Sequence, residues 1–274
     1  MKNATIVFTK VPKAGVTKTR LTTDRGGILT PEEAKDLYEG CVLDAINACI
    51  AADCGDVMIC YNQGGDREYL ESFLTRVSNR ASIKEVFCDA GGSFDECMQY
   101  AADYVLKNGN AERLADSLLI VGGDLPSLQP AIIRDAVAKL TRLAKTDAGM
   151  AAARFKGEPV GAALIEGACQ EGGFSIIGYT YNTPFEFDKV FYNLDGITAL
   201  DVALGKAREH GIPFGYVEMV PDVDIPVDLA GMIPMVRSIQ LAARYDDAVM
   251  LPVNTIRVLD EIGLEATSPP SPQR

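Results

Sequence analysis

For its first 149 residues the chain alternates short apolar runs with amphipathic stretches, and the two periods are readily told apart. Thr5 to Phe8 is β-branched and aromatic and runs into a loop holding Pro12 and Gly15, the form of a buried first strand. Leu37, Cys41, Val42, Ala45, Ile46, Cys49 and Ile50 then recur at helical spacing, which predicts a helix over 31–52. Thr30-Pro31-Glu32-Glu33 opens that helix with an N-cap, a proline at the first helical position and a glutamate three residues after the cap. The pattern continues with a strand at 56–61, a helix at 66–77 and a strand at 84–88. A second capping box at Ser93 to Glu96 opens a helix reaching about residue 107. A fourth strand covers 117–121, and Pro130 begins a helix to about residue 144.

This alternation predicts an α/β fold: a mostly parallel sheet covered on both faces, a three-layer α/β/α sandwich, with ligands at the carboxyl ends of the strands. Beyond residue 149 the pattern changes. Glycine-rich strand-like pieces at 160–165 and 173–179 precede a helix near 197–210, a strand near 214–220 and two terminal helices. The proline-rich end, 266–274, has the composition of a disordered tail.

The balance of 47% hydrophobic and 23% charged residues is that of a globular protein, and no apolar run is long enough to span a bilayer. The start of the chain lacks the apolar stretch of a secretory signal. The seven cysteines form no CxxC pair and mostly lie in apolar runs, which fits reduced thiols and a cytoplasmic location. A net charge of -12 argues against nucleic acid as a partner. Placement says more than the total: Lys2, Lys10, Lys13, Lys18, Arg20 and Arg25 stand against the single acid Asp24 within residues 1–31. A basic patch on an acidic chain suits a small anionic ligand.

Four segments carry candidate chemistry. The first, Lys10 to Leu21, follows the first strand. Gly15 permits a tight turn, free amides can face oxygen anions, and Lys10, Lys18 and Arg20 can neutralise phosphates. It is neither a Walker A loop nor a GxGxxG turn, and a solvated basic turn is the competing account. In the second, an apolar strand ends on Gly122, Gly123 and Asp124. The glycines leave room for a nucleotide, and the aspartate projects over the carboxyl edge, where a Mg2+ or Mn2+ ion could bridge it to a diphosphate. A turn cap before Pro126 is the alternative role for Asp124. The third segment holds Asp222 and Asp224, which alternate across extended backbone, so that one faces the site as a second metal ligand or base; Asp228 falls in the first turn of the next helix. The fourth places the paired glycines Gly172 and Gly173 where a ligand approaches or a hairpin turns. His210, the only histidine, lies at a helix C-terminus, which disfavours histidine-dependent nucleophilic catalysis. Phosphate and glycosyl transfer need no histidine.

In order, these segments resemble the DUF2064 family of GT-A-type glycosyltransferases, also called radical-SAM/selenodomain-associated transferase 1. That family shows patterns like FxKxPxPGxxKTRL, GxDxPxL, DGGYxLxG and DVDTPxDL, matched here by Phe8 to Leu21, Gly122 to Leu128, Glu171 to Gly178 and Asp222 to Leu229. Ala14, Leu125, Glu171 and Ile225 depart from it, the last by losing a hydroxyl. The first segment is also similar to the basic loop of 2-phospholactate guanylyltransferases. The resemblance implies a nucleotide-diphospho-sugar transferase (GT-A/Rossmann-like) fold. The resemblance spans residues 4 to about 230; the length and pattern of the chain lead to the expectation of a single domain over 1–265, with a nucleotide-binding half at 1–145, an acceptor-side half at 146–230 and terminal helices at 231–265.

By resemblance, Lys10, Lys18 and Arg20 would contact phosphates, and Asp124 would hold the divalent ion beside the nucleotide. The reading of the segments themselves adds Gly15, Gly122, Gly123, Gly172 and Gly173 as residues expected to line the nucleotide and Asp222 and Asp224 as expected metal ligands, with Lys18, Asp124 and Asp224 expected to be catalytic. The leading expectation is glycosyl transfer from a nucleotide-sugar to a small-molecule acceptor. Its rivals are nucleotidyl transfer, with an NTP and a phosphorylated small molecule as substrates, and a non-catalytic nucleotide-binding role. A homodimer through apolar stripes on the terminal helices is a further expectation.

Overall fold

The computed structural model describes residues 1–264, and the expected tail at 266–274 lies outside the described residues. Seven strands form one sheet: β1 (Asn3–Thr9), β2 (Asp56–Tyr61), β3 (Ile83–Cys88), β4 (Ser117–Gly122), β5 (Leu164–Ala168), β6 (Phe174–Thr180) and β7 (Phe214–Val217), in the order β3-β2-β1-β4-β6-β5-β7. Only β6 runs against its neighbours; the β1–β2, β1–β4, β2–β3 and β5–β7 pairs are parallel. Helices α1 (Pro31–Ala52), α2 (Arg67–Leu74) and α4 (Pro130–Leu143) cover one face, where Val42, Ile46, Leu70, Phe73, Ile133 and Leu140 join the buried side chains of the sheet. Helices α3 (Phe94–Leu106) and α6 (Ala199–Glu209) cover the other through Met98, Val105, Ala203 and Ala207.

Both capping boxes form: Thr30 with Glu33 opens α1, and Ser93 with Glu96 opens α3. Sequence periodicity carries α2 past its end, because Val77 packs into the core from a turn after Leu74. It misses the short α5 (Asp147–Ala152), which Thr146 caps, and starts β5 too early. Residues 160–163 are loop there, with the Gly161 and Ala162 amides donating to Ala144 and Gly149 rather than to a strand.

Helices α7 (Pro226–Ala242) and α8 (Val253–Ile262) pack on α1 and on the basic loop. Leu229, Met232, Ile233, Val236, Val258 and Leu259 meet Leu21, Leu29, Leu37 and Cys41 in a third cluster. These side chains are covered within the chain, while Leu241, Tyr245 and Val253 stay exposed. Asp44 of α1 fixes α8, accepting from the Asn254 amide (3.1 Å), the Asn254 Nδ2 (2.8 Å) and the Thr255 amide (2.8 Å). Gly40 allows this approach, since a Cβ there would lie 3.1 Å from the Asn254 carbonyl.

Candidate active site at the carboxyl edge

Strands β1 and β4 run side by side, with Phe8 opposite Gly122, so the loops that leave them emerge together at the carboxyl edge of the sheet. The loop after β1 folds on a turn in which the Val16 and Thr17 amides donate to the Lys13 carbonyl, with Gly15 at φ 72°. The Thr17 hydroxyl donates to the same carbonyl and accepts from the Lys13 amide. Asn62 pins the loop's start by accepting from the Val11 amide at 2.7 Å. Leu21 is fully buried among the terminal helices and pins its end.

Between these anchors Lys18 adopts the left-handed region, φ 52° and ψ 33°, where a lysine is uncommon. This turns its side chain inward. The ammonium lies 2.6 Å from Asp124 Oδ2 and 2.5 Å from Asp224 Oδ1, and 5.3 Å from the centre of the Tyr38 ring. The Lys18 side chain is 9% exposed, against 24% for Asp124 and 47% for Asp224, so the carboxylates form the open side of the arrangement.

Electrostatics follow from that packing. Burial alone would lower the Lys18 pKa, but Asp124 and Asp224 outweigh it and hold the ammonium above its usual range. Burial likewise pulls Asp224 up, and Lys18, with Arg20 and Lys10 behind it, brings it below the usual carboxylate value. Asp222 forms no ion pair among the described residues: burial, then the charges of Asp124 and Asp224, outweigh the lowering by Lys18 and push it up to about 6. Arg20 reaches Asp224 at 3.9 Å from an exposed position.

The two aspartates of the third segment have separate roles. Asp224 faces Lys18. Asp222 is tied instead to the fourth segment: its amide donates to Gln170 Oε1 at 3.1 Å, and Gln170 Nε2 donates to its carbonyl at 3.1 Å. The Asp228 carboxylate accepts from the Asp224 and Ile225 amides at 3.0 and 2.9 Å and so caps α7.

The glycines also divide. A Cβ on Gly122 would come within 2.9 Å of Asp124 Oδ1, so the glycine leaves that carboxylate its place, and one on Gly123 within 2.9 Å of Thr9 Oγ1, so that glycine keeps the loop close to β1. Gly172, at φ 74°, is needed because Thr198 stands 2.5 Å from where its Cβ would be, and Gly173 because Cys169 Sγ stands at 2.8 Å. Packing thus accounts for the second pair without an approaching ligand.

A magnesium or manganese ion suits Asp124 and Asp224, two hard oxygen donors whose set a diphosphate and water would complete. Among the described residues no group of three or more His, Cys, Asp or Glu is assembled to hold a metal, so Asp124, Asp222 and Asp224 do not form a ready-made triad. Lys18 stands between two of them.

Sequence reasoning missed several contributors. The Tyr38 hydroxyl bonds Thr9 Oγ1 at 2.8 Å and accepts from the Lys10 amide at 3.1 Å, linking α1 to the loop. In sequence it is one more apolar-face position of the helix. On the opposite side of the edge an aromatic wall runs from Phe8 to Phe94 (5.8 Å), then to Phe191 (4.6 Å) and Tyr192 (6.2 Å). No local pattern announces that convergence of three distant segments.

The sheet order, its single reversed strand and the helical layers define a nucleotide-diphospho-sugar transferase fold. The chain belongs to the DUF2064 family, described as "Uncharacterized protein conserved in bacteria", whose profile matches residues 45–194. That range contains Gly122, Gly123 and Asp124 and lies between the basic loop and the Asp222 segment. No curated protein matches the chain. Among solved structures it is similar to a protein from Desulfovibrio desulfuricans G20, described by inference as a nucleotide-diphospho-sugar transferase. The TM-score is 0.69 at 20% identity, with 96% of this chain and 97% of that one covered. It is also similar to a cytidylyltransferase from Leptospira borgpetersenii serovar Hardjo-bovis (strain JB197), with a TM-score of 0.51, 12% identity and coverage of 96% and 95%. At these identities the likeness is one of fold. Among the described residues no helix is long and apolar enough to cross a membrane.

Proposed function

We propose that the protein is a cytoplasmic enzyme that transfers a glycosyl group from a nucleotide-sugar to a small-molecule acceptor, assisted by magnesium or manganese. One observation carries this reading: Lys18, Asp124 and Asp224, from three separate segments, converge at the carboxyl edge with a lysine in a left-handed conformation. A purely structural ion pair does not need three loops at a ligand-binding edge or a costly backbone.

Asp124 and Asp224 would hold the ion, which when bound supplies positive charge to the departing diphosphate. Lys18 would direct its charge to the same phosphates, and Arg20 and Lys10 would extend that field from the exposed side of the loop. The bond from the anomeric carbon to the diphosphate breaks with its electron pair leaving on the diphosphate, so preorganised cations at that end lower the barrier.

Nucleotidyl transfer to a phosphorylated small molecule is the second reading, favoured by the concentration of Lys10, Lys18 and Arg20 on one loop, which suits a triphosphate. Product analysis separates the two. Incubation with nucleotide-sugars and magnesium should release a nucleoside diphosphate, even if slowly to water as acceptor. Release of inorganic diphosphate from one NTP would establish the second reading, and no turnover of either donor would overturn both.

A further inference from the structure

A cavity of about 400 Å³ opens between the Gln170–Gly173 turn and the first turns of α7, and Asp222 forms part of its wall. Val227, Met232 and Met235 give it an apolar side, and Glu171, Asp222 and Asp228 give it an acidic one; among the described residues no lysine, arginine or histidine lines it. Its walls are braced. Gln170 holds Asp222 through both amide atoms and also donates to Asp228 Oδ1 at 3.3 Å, which ties the turn to the start of α7. Glu171 stands exposed at φ 58°, and among the described residues it forms no ion pair.

This chemistry is the opposite of the Lys18 loop. Phosphates are attracted to Lys10, Lys18 and Arg20 and repelled from a cavity with three carboxyl groups and no cation. The two regions meet at Asp222, whose carboxyl lies in the field of Asp124 and Asp224. The basic loop thus suits an anionic ligand and the cavity beside it a ligand of different chemistry. Met235, partly exposed, suits a partly apolar guest because its flexible thioether adapts to shape, and Met232, 2% exposed, backs it from the core.

We propose that this cavity holds the acceptor, and that the acceptor is a small molecule with an apolar body, a hydroxyl or amine, and no phosphate or carboxylate. The acceptor role rests on the transferase reading, whereas the preference for an uncharged or cationic guest rests on the cavity alone. An acceptor of this kind belongs to glycosyl transfer; the phosphorylated substrate of nucleotidyl transfer would not be received here.

The test uses the full chain labelled with ¹³C at the methionine methyls, with the Met232 and Met235 signals assigned through Met→Leu variants. Three probes share an apolar body and differ in the head group: 2-phenylethylamine, 2-phenylethanol and phenyl phosphate. The amine and the alcohol should shift both methyl signals saturably, and phenyl phosphate should do so at least roughly ten-fold more weakly. Glu171→Gln should weaken the amine about three-fold and leave the alcohol unchanged, the scale of an exposed charge pair. Phenyl phosphate binding as well as the alcohol, or methyl signals unmoved by all three probes, would overturn the inference. Thermal shift with nucleotides on the same sample separates the two failures. A nucleotide response with silent methionines sinks the cavity inference alone, whereas methionine shifts without any nucleotide response sink the transferase reading and leave the cavity's preference standing.

Discussion

Lys18 and Glu166 are both ionisable side chains withdrawn from water, and they meet opposite fates. Lys18 has two carboxylates within ion-pairing distance and keeps its charge. Glu166, on β5, is 1% exposed, neither of its carboxyl oxygens has a hydrogen-bond partner, and burial, with Asp201 adding to it, pushes its pKa up to about 8. A buried charge survives only where the fold supplies its counter-charge; otherwise the group gives up its charge. The Lys18 site is a place where the sequence assembles charge at some cost to the backbone, while Glu166 is a place where charge is suppressed.

The sharpest way to break this comparison is to remove the paired cation. Lys18→Met should reduce turnover by at least roughly 100-fold, the scale of losing one preorganised charge at a transition state, while leaving the protein folded. Folding should survive because Asp124 and Asp224 face the open side and can be hydrated. Steady-state kinetics with circular dichroism as the folding control would check it, and near-normal turnover would remove Lys18 from the reaction.

The orphaned group makes the next largest prediction. Between the unfolded pKa, near 4.5, and about 8 the native state retains a proton that the unfolded chain releases, so Glu166 makes stability fall as pH rises through that window. Glu166→Gln should lose this pH dependence, so that its stability relative to the parent rises by up to roughly 1.4 kcal/mol for each pH unit between 4.5 and about 8. Urea unfolding at both pH values measures the difference, and a constant offset across pH would contradict the account. The smallest effect is expected at the bridge between α1 and the loop. Tyr38→Phe removes the contacts with Thr9 and Lys10 and should cost about 1 kcal/mol, with Thr9 and the Lys10 amide left to find water.

The contrast between the two halves of the chain explains what could be read beforehand. Through β4 the central strands β1, β2 and β4 are largely apolar runs, and α1 and α3 open on capping boxes, so Thr30, Glu33, Ser93 and Glu96 mark boundaries that the structure keeps. Asp124 was legible because a buried parallel strand ends directly before it, and Lys18 because the loop after the first strand concentrates basic residues. The second half offers less. Strands β5 and β6 are antiparallel neighbours joined by a turn with Glu171 at positive φ, and α5 is too short for periodicity to reveal. Gly172 and Gly173 read equally as ligand room or as a hairpin or bulge, and their close neighbours, Thr198 and Cys169, become visible only in the structure. The approach of Asp224 to Lys18 spans 206 residues of sequence, and neither segment alone contains that information.

The central claim is that the Lys18–Asp124–Asp224 arrangement receives the phosphates of a nucleotide together with a divalent ion. It is tested most directly by thermal-shift titration of the full chain with nucleoside diphosphates, nucleoside triphosphates and nucleotide-sugars, each with and without magnesium or manganese, for the parent and Asp124→Asn. The account predicts saturable stabilisation by one nucleotide class that depends on the ion in the parent and loses that dependence in Asp124→Asn. Stabilisation by none of them, or an ion dependence unchanged in Asp124→Asn, would contradict it.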